Sequence, residues 1–486
     1  MSRRLLNVSL IIMLFILLAL AYSLVVPIFN APDEPFHFEY IRFLAMQKKL
    51  PNQTVKDLSI TTEGFNPPLY YLIGAGALGL LSGNRASDIG IHNEQDLAQF
   101  YYYPEAGFSE RIYPPLNPGY IKWGKGGRER NMFLTTSQDR FPFSGSIRVI
   151  HLLRLISVLI GALTVLFILK TAEILFPDHK SIALLSACLC AFNPQFTFLS
   201  GALNNDNLVT MFSAISLYLL TGLVLSERDN PRRLTALGAA IGLGLISKVN
   251  ISFLVVISII GVIYQTIASD PSRKLVRVIR NLALLLIPMA IISGWYFVRG
   301  VSLFGVDDPL GWKLQAIQNP DLVMPARIRT QFLTRAFAPM LFTSFWGQFD
   351  WLTIKLPLWI YGIYGLISLA GLAGVAFFLA SGIRRKLWRE REIRVTVCLE
   401  LFLAAILLAV TNLVILNWNF IAAQGRLIFP VMAPLCIFMA MGVSSGLNSI
   451  SRLLRVRQEL VTYAFLVLLI GLNLYSLIGI IYPVYR

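Results

Sequence analysis

The chain has 486 residues, of which 56% are hydrophobic and only 14% charged, with a mean hydropathy of +0.65. A soluble chain carries about 25% charged residues, so this composition excludes a soluble globular protein and leaves a polytopic membrane protein. The net charge of +16 does not imply nucleic-acid binding, because the basic residues gather in short connections on one side. These are Arg3 and Arg4; Arg228, Arg232 and Arg233; Arg273, Lys274, Arg277 and Arg280; the run from Arg384 to Arg394; and Arg452, Arg455 and Arg457. That is the positive-inside pattern, which sets topology.

In chain order the apolar runs predict about eleven helices. They fall near 5–29, 150–176, 181–200, 207–225, 234–247, 250–268, 281–298, 356–380, 395–416, 427–446 and 460–482. The first run is longer than the 7–15 apolar residues of a signal peptide, so it reads as an uncleaved span with its N-terminus inside. The fifth is short. Cys188, Cys190, Cys398 and Cys436 all lie in apolar runs, without zinc-type spacing or a disulfide framework. The expected fold is an all-α polytopic bundle, one membrane-embedded domain over residues 1–486. Its two long outside loops cover residues 30–145 and 300–355.

The first outside loop opens with NAPDEPFHFEYIRF, where Asp33 and Glu34 stand between two prolines just past the first span. Asp33 suits either a helix N-cap or a reactive carboxylate at headgroup depth. Glu34 and His37, three residues apart, share a helix face and permit a divalent metal ion between them; a hydrogen-bonded structural histidine is the alternative. Residues 37–49 read as a helix lying on the membrane, with Phe36, Tyr40, Phe43 and Leu44 on its apolar side and Glu39, Arg42 and Lys49 facing water. Residues 67–81 are apolar but short, which suits an interfacial or re-entrant helix. The aromatic run at 99–123 predicts ordered packing near the surface, and the Gly-basic string at 122–130 lacks the setting of a P-loop.

The other outside connections are polar. NPQFTFLSGALNNDN presents Asn204, Asn205, Asp206 and Asn207, of which helix capping accounts for one. Lys248, in Ser-Lys-Val-Asn, opposes the positive-inside trend; it either snorkels or meets a phosphate. Arg426, in QGRLIFP with Gln424, is a guanidinium of the kind that grips phosphate oxygens in pairs, or an interfacial anchor. Arg299 and Arg154 are further candidates of that type. In SFWGQFDW, the residues Trp346, Gln348, Asp350 and Trp351 offer flat faces and hydrogen-bonding groups for a sugar, although Trp also favours interfaces for amphipathic reasons.

The acidic pair Asp33 and Glu34, the amphipathic helix after it, PPLYY and HLLRLISVLIGALTVLF resemble the glycosyltransferase-C superfamily. Those multi-span enzymes move a sugar from a polyprenyl-phosphate donor to an acceptor outside the cytoplasmic membrane. More closely, PDEPFHF, NNDN, SFWGQFDW and QGRLIFP resemble a bacterial multi-pass membrane family without an assigned function. The resemblance implies an inverting transferase of the inner membrane, acting on its extracytoplasmic face on a glycan, lipid or small acceptor. In that scheme Asp33 is the general base. Glu34, with His37 and Asp206, orients the acceptor or holds a divalent cation. Lys248, Arg426 and Arg299 bind the donor phosphate, while Asn205, Asp206, Trp346, Gln348, Asp350 and Gln424 contact the sugars. A flippase for lipid-linked glycans and a non-catalytic assembly factor are the competing readings; a transporter would place its ionisable residues nearer the bilayer midplane.

Overall fold

A computed structural model describes residues 3–53, 60, 62–82, 141–269, 274–318, 323–382 and 390–485. The aromatic run at 99–123, the string at 122–130 and the basic residues at 384–389 lie outside them. Among the described residues, nine helices are long and apolar enough to cross a membrane. A tenth forms if Lys180–Ala191 and Pro194–Ser200, bent by 59° at the break between them, count as one span. The helix Pro231–Leu245 has only 15 residues, about 22 Å at 1.5 Å per residue, which is short of a full crossing. The protein is a nearly all-helical multi-pass membrane protein, with nine or ten spans among the described residues against about eleven expected.

The helices follow from apolar runs whose faces are divided between neighbours and lipid. In Arg3–Val25, Phe15, Leu18, Ala19 and Tyr22 are buried while Leu10, Met13, Leu17 and Leu24 are exposed. Both sets follow helical spacing, and opposite faces therefore serve core and acyl chains. Pro231–Leu245 packs tightly on Lys274–Phe304: a Cβ at Gly238 would stand 2.0 Å from the Leu285 carbonyl oxygen. The bend near residue 193 has a local cause. Asn193 accepts from the Phe196 N–H at 3.0 Å and Pro194 opens the next helix, so the chain is capped and restarted in a new direction.

The segment after the first span turns on Asp33, whose φ of 64° is left-handed, into the helix Glu34–Gln47. This helix does not lie free on the membrane surface. It packs against Leu69–Ser82 and residues 62–65, and Arg42, expected to face water, is buried. The apolar stretch at 67–81 forms the helix Leu69–Ser82, 14 residues long. The four cysteines are free and buried.

Candidate functional site

Four charged side chains from four separate connections meet at one end of the bundle. Asp33 opens Glu34–Gln47, and Asp206 lies in the first turn of Asn205–Val224. Lys248 follows Pro231–Leu245, while Arg426 begins the span Gly425–Leu454. Arg426 Nη2 donates to Asp33 Oδ2, and its Nε lies 3.6 Å from Asp206 Oδ2. Lys248 Nζ donates to Asp206 Oδ1 at 2.6 Å and reaches Asn205 Oδ1 at 3.4 Å. The result is an alternating chain Asp33–Arg426–Asp206–Lys248 with no net charge. Its exposure is graded: side-chain values are 30% for Asp33 and 19% for Lys248, but 7% for Arg426 and 1% for Asp206. A ligand therefore reaches Asp33 and Lys248 first.

Local chemistry holds these groups in place. Asn204 caps Asn205–Val224 by accepting from the Asp206 N–H at 2.7 Å, whereas Asp33 stands at the N-cap position of Glu34–Gln47 without a side-chain cap bond. The Asn204 N–H in turn donates to Tyr70 Oη at 3.0 Å. Gly425 brings Arg426 in beside Phe345, where a Cβ would stand 2.2 Å from the Phe345 nitrogen. Several buried polar atoms around the cluster have no hydrogen-bond partner among the described residues. They are His37 Nε2, Asn204 Nδ2, Asn205 Nδ2, Asp206 Oδ2, Asn250 Oδ1, Gln424 Oε1 and Arg426 Nε. Each such atom costs about 1–3 kcal/mol if left unpaired, so their concentration around one ion-pair chain suits a polar ligand. Burial acts to raise the Asp33 pKa, but the Arg426 guanidinium outweighs it and holds the carboxyl below its usual 3.8.

Glu34 takes a different part from the one expected of it. Its carboxylate accepts from Arg154 Nε at 2.7 Å and Arg154 Nη2 at 2.6 Å. It also takes the Leu203 N–H at 3.0 Å and the Phe29 N–H at 2.8 Å. Arg154 spends its remaining donors on the carbonyls of Ser23, Val26 and Pro27. Both side chains are 0% exposed, so this is a structural clamp joining the first span, the Asp33 turn and the helix Gly145–Leu175. No lone pair of Glu34 remains for a metal. His37 turns instead to Tyr71 Oη at 3.0 Å and Glu63 Oε2 at 3.3 Å. The expected Glu34–His37 metal pair is therefore not formed, and among the described residues no group of three or more His, Cys, Asp or Glu could hold an ion.

Other residues expected to contact the substrate are engaged with partners outside the ion-pair chain. Trp346 is 1% exposed and stacks on Tyr364 at 4.3 Å, which makes it core and not a sugar platform. Gln348 is tied to Gln195, Thr343 and the Leu352 carbonyl within a two-stranded turn. Asp350 is buried, with Thr353 and Tyr485 as partners. Arg299 donates to the Pro51 carbonyl at 2.6 Å. Trp351 links the second loop to the Asp33 segment through the Phe29 carbonyl at 3.2 Å. The sequence reading missed Glu63 and Tyr71; Tyr71 stood in the PPLYY motif, but nothing marked its hydroxyl as a partner of His37.

Fold and site together define a helical membrane protein with a buried charged cluster at one end of its spans. Residues 148–297, just under a third of the chain, match the model of the dolichyl-phosphate-mannose-protein mannosyltransferase family. That match and the motif resemblance agree on one class, the C-type membrane glycosyltransferases. An oligosaccharyltransferase from Archaeoglobus fulgidus, tethered to an acceptor peptide, superposes with a TM-score of 0.47 at 13% identity, over 99% of this chain and 55% of that one. This chain thus spans about half the length of that enzyme. ArnT from Cupriavidus metallidurans bound to undecaprenyl phosphate gives a TM-score of 0.46 at 12% identity, over 99% of this chain and 73% of the other. No curated protein matches the sequence.

Proposed function

We propose that the protein transfers a sugar from a polyprenyl-phosphate donor to a hydroxyl acceptor on the extracytoplasmic face of the inner membrane. The observation that carries this reading is the convergence of Asp33, Arg426, Asp206 and Lys248 at one end of the spans. The cluster pairs a carboxylate suited to proton transfer with cations suited to a phosphate. In the reaction, the acceptor oxygen attacks the anomeric carbon and its proton passes to Asp33, a role worth about 10²–10⁴ in rate. The bond from that carbon to the phosphate oxygen breaks, and its electron pair leaves with polyprenyl phosphate. Arg426 and Lys248 stabilise the departing charge. Displacement from the opposite side inverts the anomeric centre.

The resting ion pair fits this order of events. Arg426 neutralises Asp33 until a lipid phosphate competes for the guanidinium, and release makes Asp33 a stronger base beside the bound donor. The location at span ends favours a transferase over a transporter, whose ionisable residues belong near the midplane. The test is consumption of undecaprenyl-phosphate-linked hexoses by purified protein, with envelope lipid extract as acceptor source. Asp33→Asn should lower the rate at least a hundredfold while the variant still purifies in a folded state. Wild-type turnover by that variant would remove Asp33 from the chemistry.

A further inference from the structure

We propose that the acceptor is a glycan with a second hydroxyl beside the reacting one, and that His37 Nε2 holds this second hydroxyl. The inference rests on the transferase reading and adds the class of acceptor. It begins with the tautomer of His37. Tyr71 Oη donates its only hydrogen to Glu63 Oε2 at 2.7 Å, and Asn66 Nδ2 donates to the same oxygen. His37 Nδ1 therefore faces two acceptors, Tyr71 Oη at 3.0 Å and Glu63 Oε2 at 3.3 Å, and must carry the proton itself. In the neutral ring that leaves Nε2 as a bare lone pair. Burial favours the neutral form, lowering the ring pKa below its usual 6.5 against the opposing pull of Glu63 and Asp33.

The ring is also held in orientation. It stacks on Tyr71 at 5.8 Å and meets Tyr70 edge-on at 6.4 Å, and the residue is 2% exposed. Nε2, on the edge away from Glu63, is buried and has no hydrogen-bond partner among the described residues. His37 follows Asp33 by one turn, its N–H donating to the Asp33 carbonyl at 3.0 Å. Asp33 is left-handed and lies outside the helix, but the two side chains are near enough for the Asp33 charge to act on the ring. The site thus presents two acceptors: the Asp33 carboxylate, one oxygen of which takes Arg426 Nη2 in the resting state, and the imidazole lone pair. Adjacent hydroxyls of a sugar ring supply one donor to each. An acceptor with a single hydroxyl serves Asp33 and leaves Nε2 unpaired, and a site built to pair a hydroxyl discriminates against the analogue lacking it.

The experiment measures consumption of undecaprenyl-phosphate-linked hexoses with a panel of decyl glycosides or with 1-decanol as acceptor. Wild type should prefer the best glycoside at least about tenfold, the worth of one well-placed hydrogen bond. His37→Asn keeps a polar group near Nδ1 but removes the acceptor at Nε2, and should lower the glycoside-to-decanol ratio about tenfold. His37→Gln, which returns an oxygen toward the Nε2 position, should restore most of it. Nitrogen NMR of ¹⁵N-histidine protein should find His37 protonated at Nδ1, with the Nε2–H form appearing in Glu63→Gln. Equal use of both acceptors, an unmoved ratio in His37→Asn, or an Nε2–H signal in wild type would overturn the proposal. Wild type that consumes donor with neither acceptor class nor lipid extract would refute the transferase reading itself.

Discussion

Replacing Glu34 by Gln separates structure from chemistry at two adjacent carboxylates. The Glu34 carboxylate receives two Arg154 donors and two backbone N–H groups, all at 3.0 Å or less. A Gln side chain keeps one oxygen and turns the other acceptor into an NH₂ that faces donors. Arg154, 0% exposed, then keeps its charge without a counterion. Removing one partner of a buried ion pair costs about 3–5 kcal/mol, or two to three and a half decades in the folding equilibrium. Asp33→Asn is milder, because its side chain is 30% exposed and Arg426 retains Asp206 at 3.6 Å. Unfolding by SDS titration in mild detergent reads the difference. Glu34→Gln should unfold at a markedly lower SDS fraction, with Asp33→Asn close to wild type. A Glu34→Gln midpoint equal to wild type, with activity lost, would return Glu34 to the reaction and refute the clamp.

Gly425→Ala should cripple donor handling although no ligand group is touched, because the Cβ would stand 2.2 Å from the Phe345 nitrogen and 2.4 Å from its Cα. The measurement is undecaprenyl phosphate binding, expected to weaken by tenfold or more; unchanged binding would show that the backbone yields without moving Arg426. The pH response follows from two lowered pKa values. The unfolded chain protonates His37 near 6.5 and Asp33 near 3.8, both above the folded values. Their contributions to stability are full above those unfolded values and are lost as pH falls through the folded ones. The unfolding midpoint of wild type should therefore begin to fall below about pH 6.5, and His37→Gln should flatten that slope. In the donor-free enzyme Asp33 stays paired with Arg426 and ionised, so kcat/KM should show no loss from Asp33 between pH 8 and 5.

The sequence alone determined the class of the protein, because burial in lipid is written in composition: long uncharged runs can only be spans, and clustered Arg and Lys orient them. It also determined which polar residues were anomalous. Asp33, Asp206, Lys248 and Arg426 stood out because charge beside a membrane span is costly, and the cost does not depend on knowing the partner. What each anomaly does was decided only in three dimensions. Asp33 and Glu34 are indistinguishable neighbours in the chain; Arg154, 120 residues away, takes one and leaves the other at the site. Trp346 looked like a sugar platform until Tyr364 covered it. His37 suggested a metal until Tyr71 and Glu63 claimed one edge of its ring. The physical reason is common to all three: a side chain's role is set by which partner saturates it, and those partners arrive from distant helices whose packing no local pattern encodes.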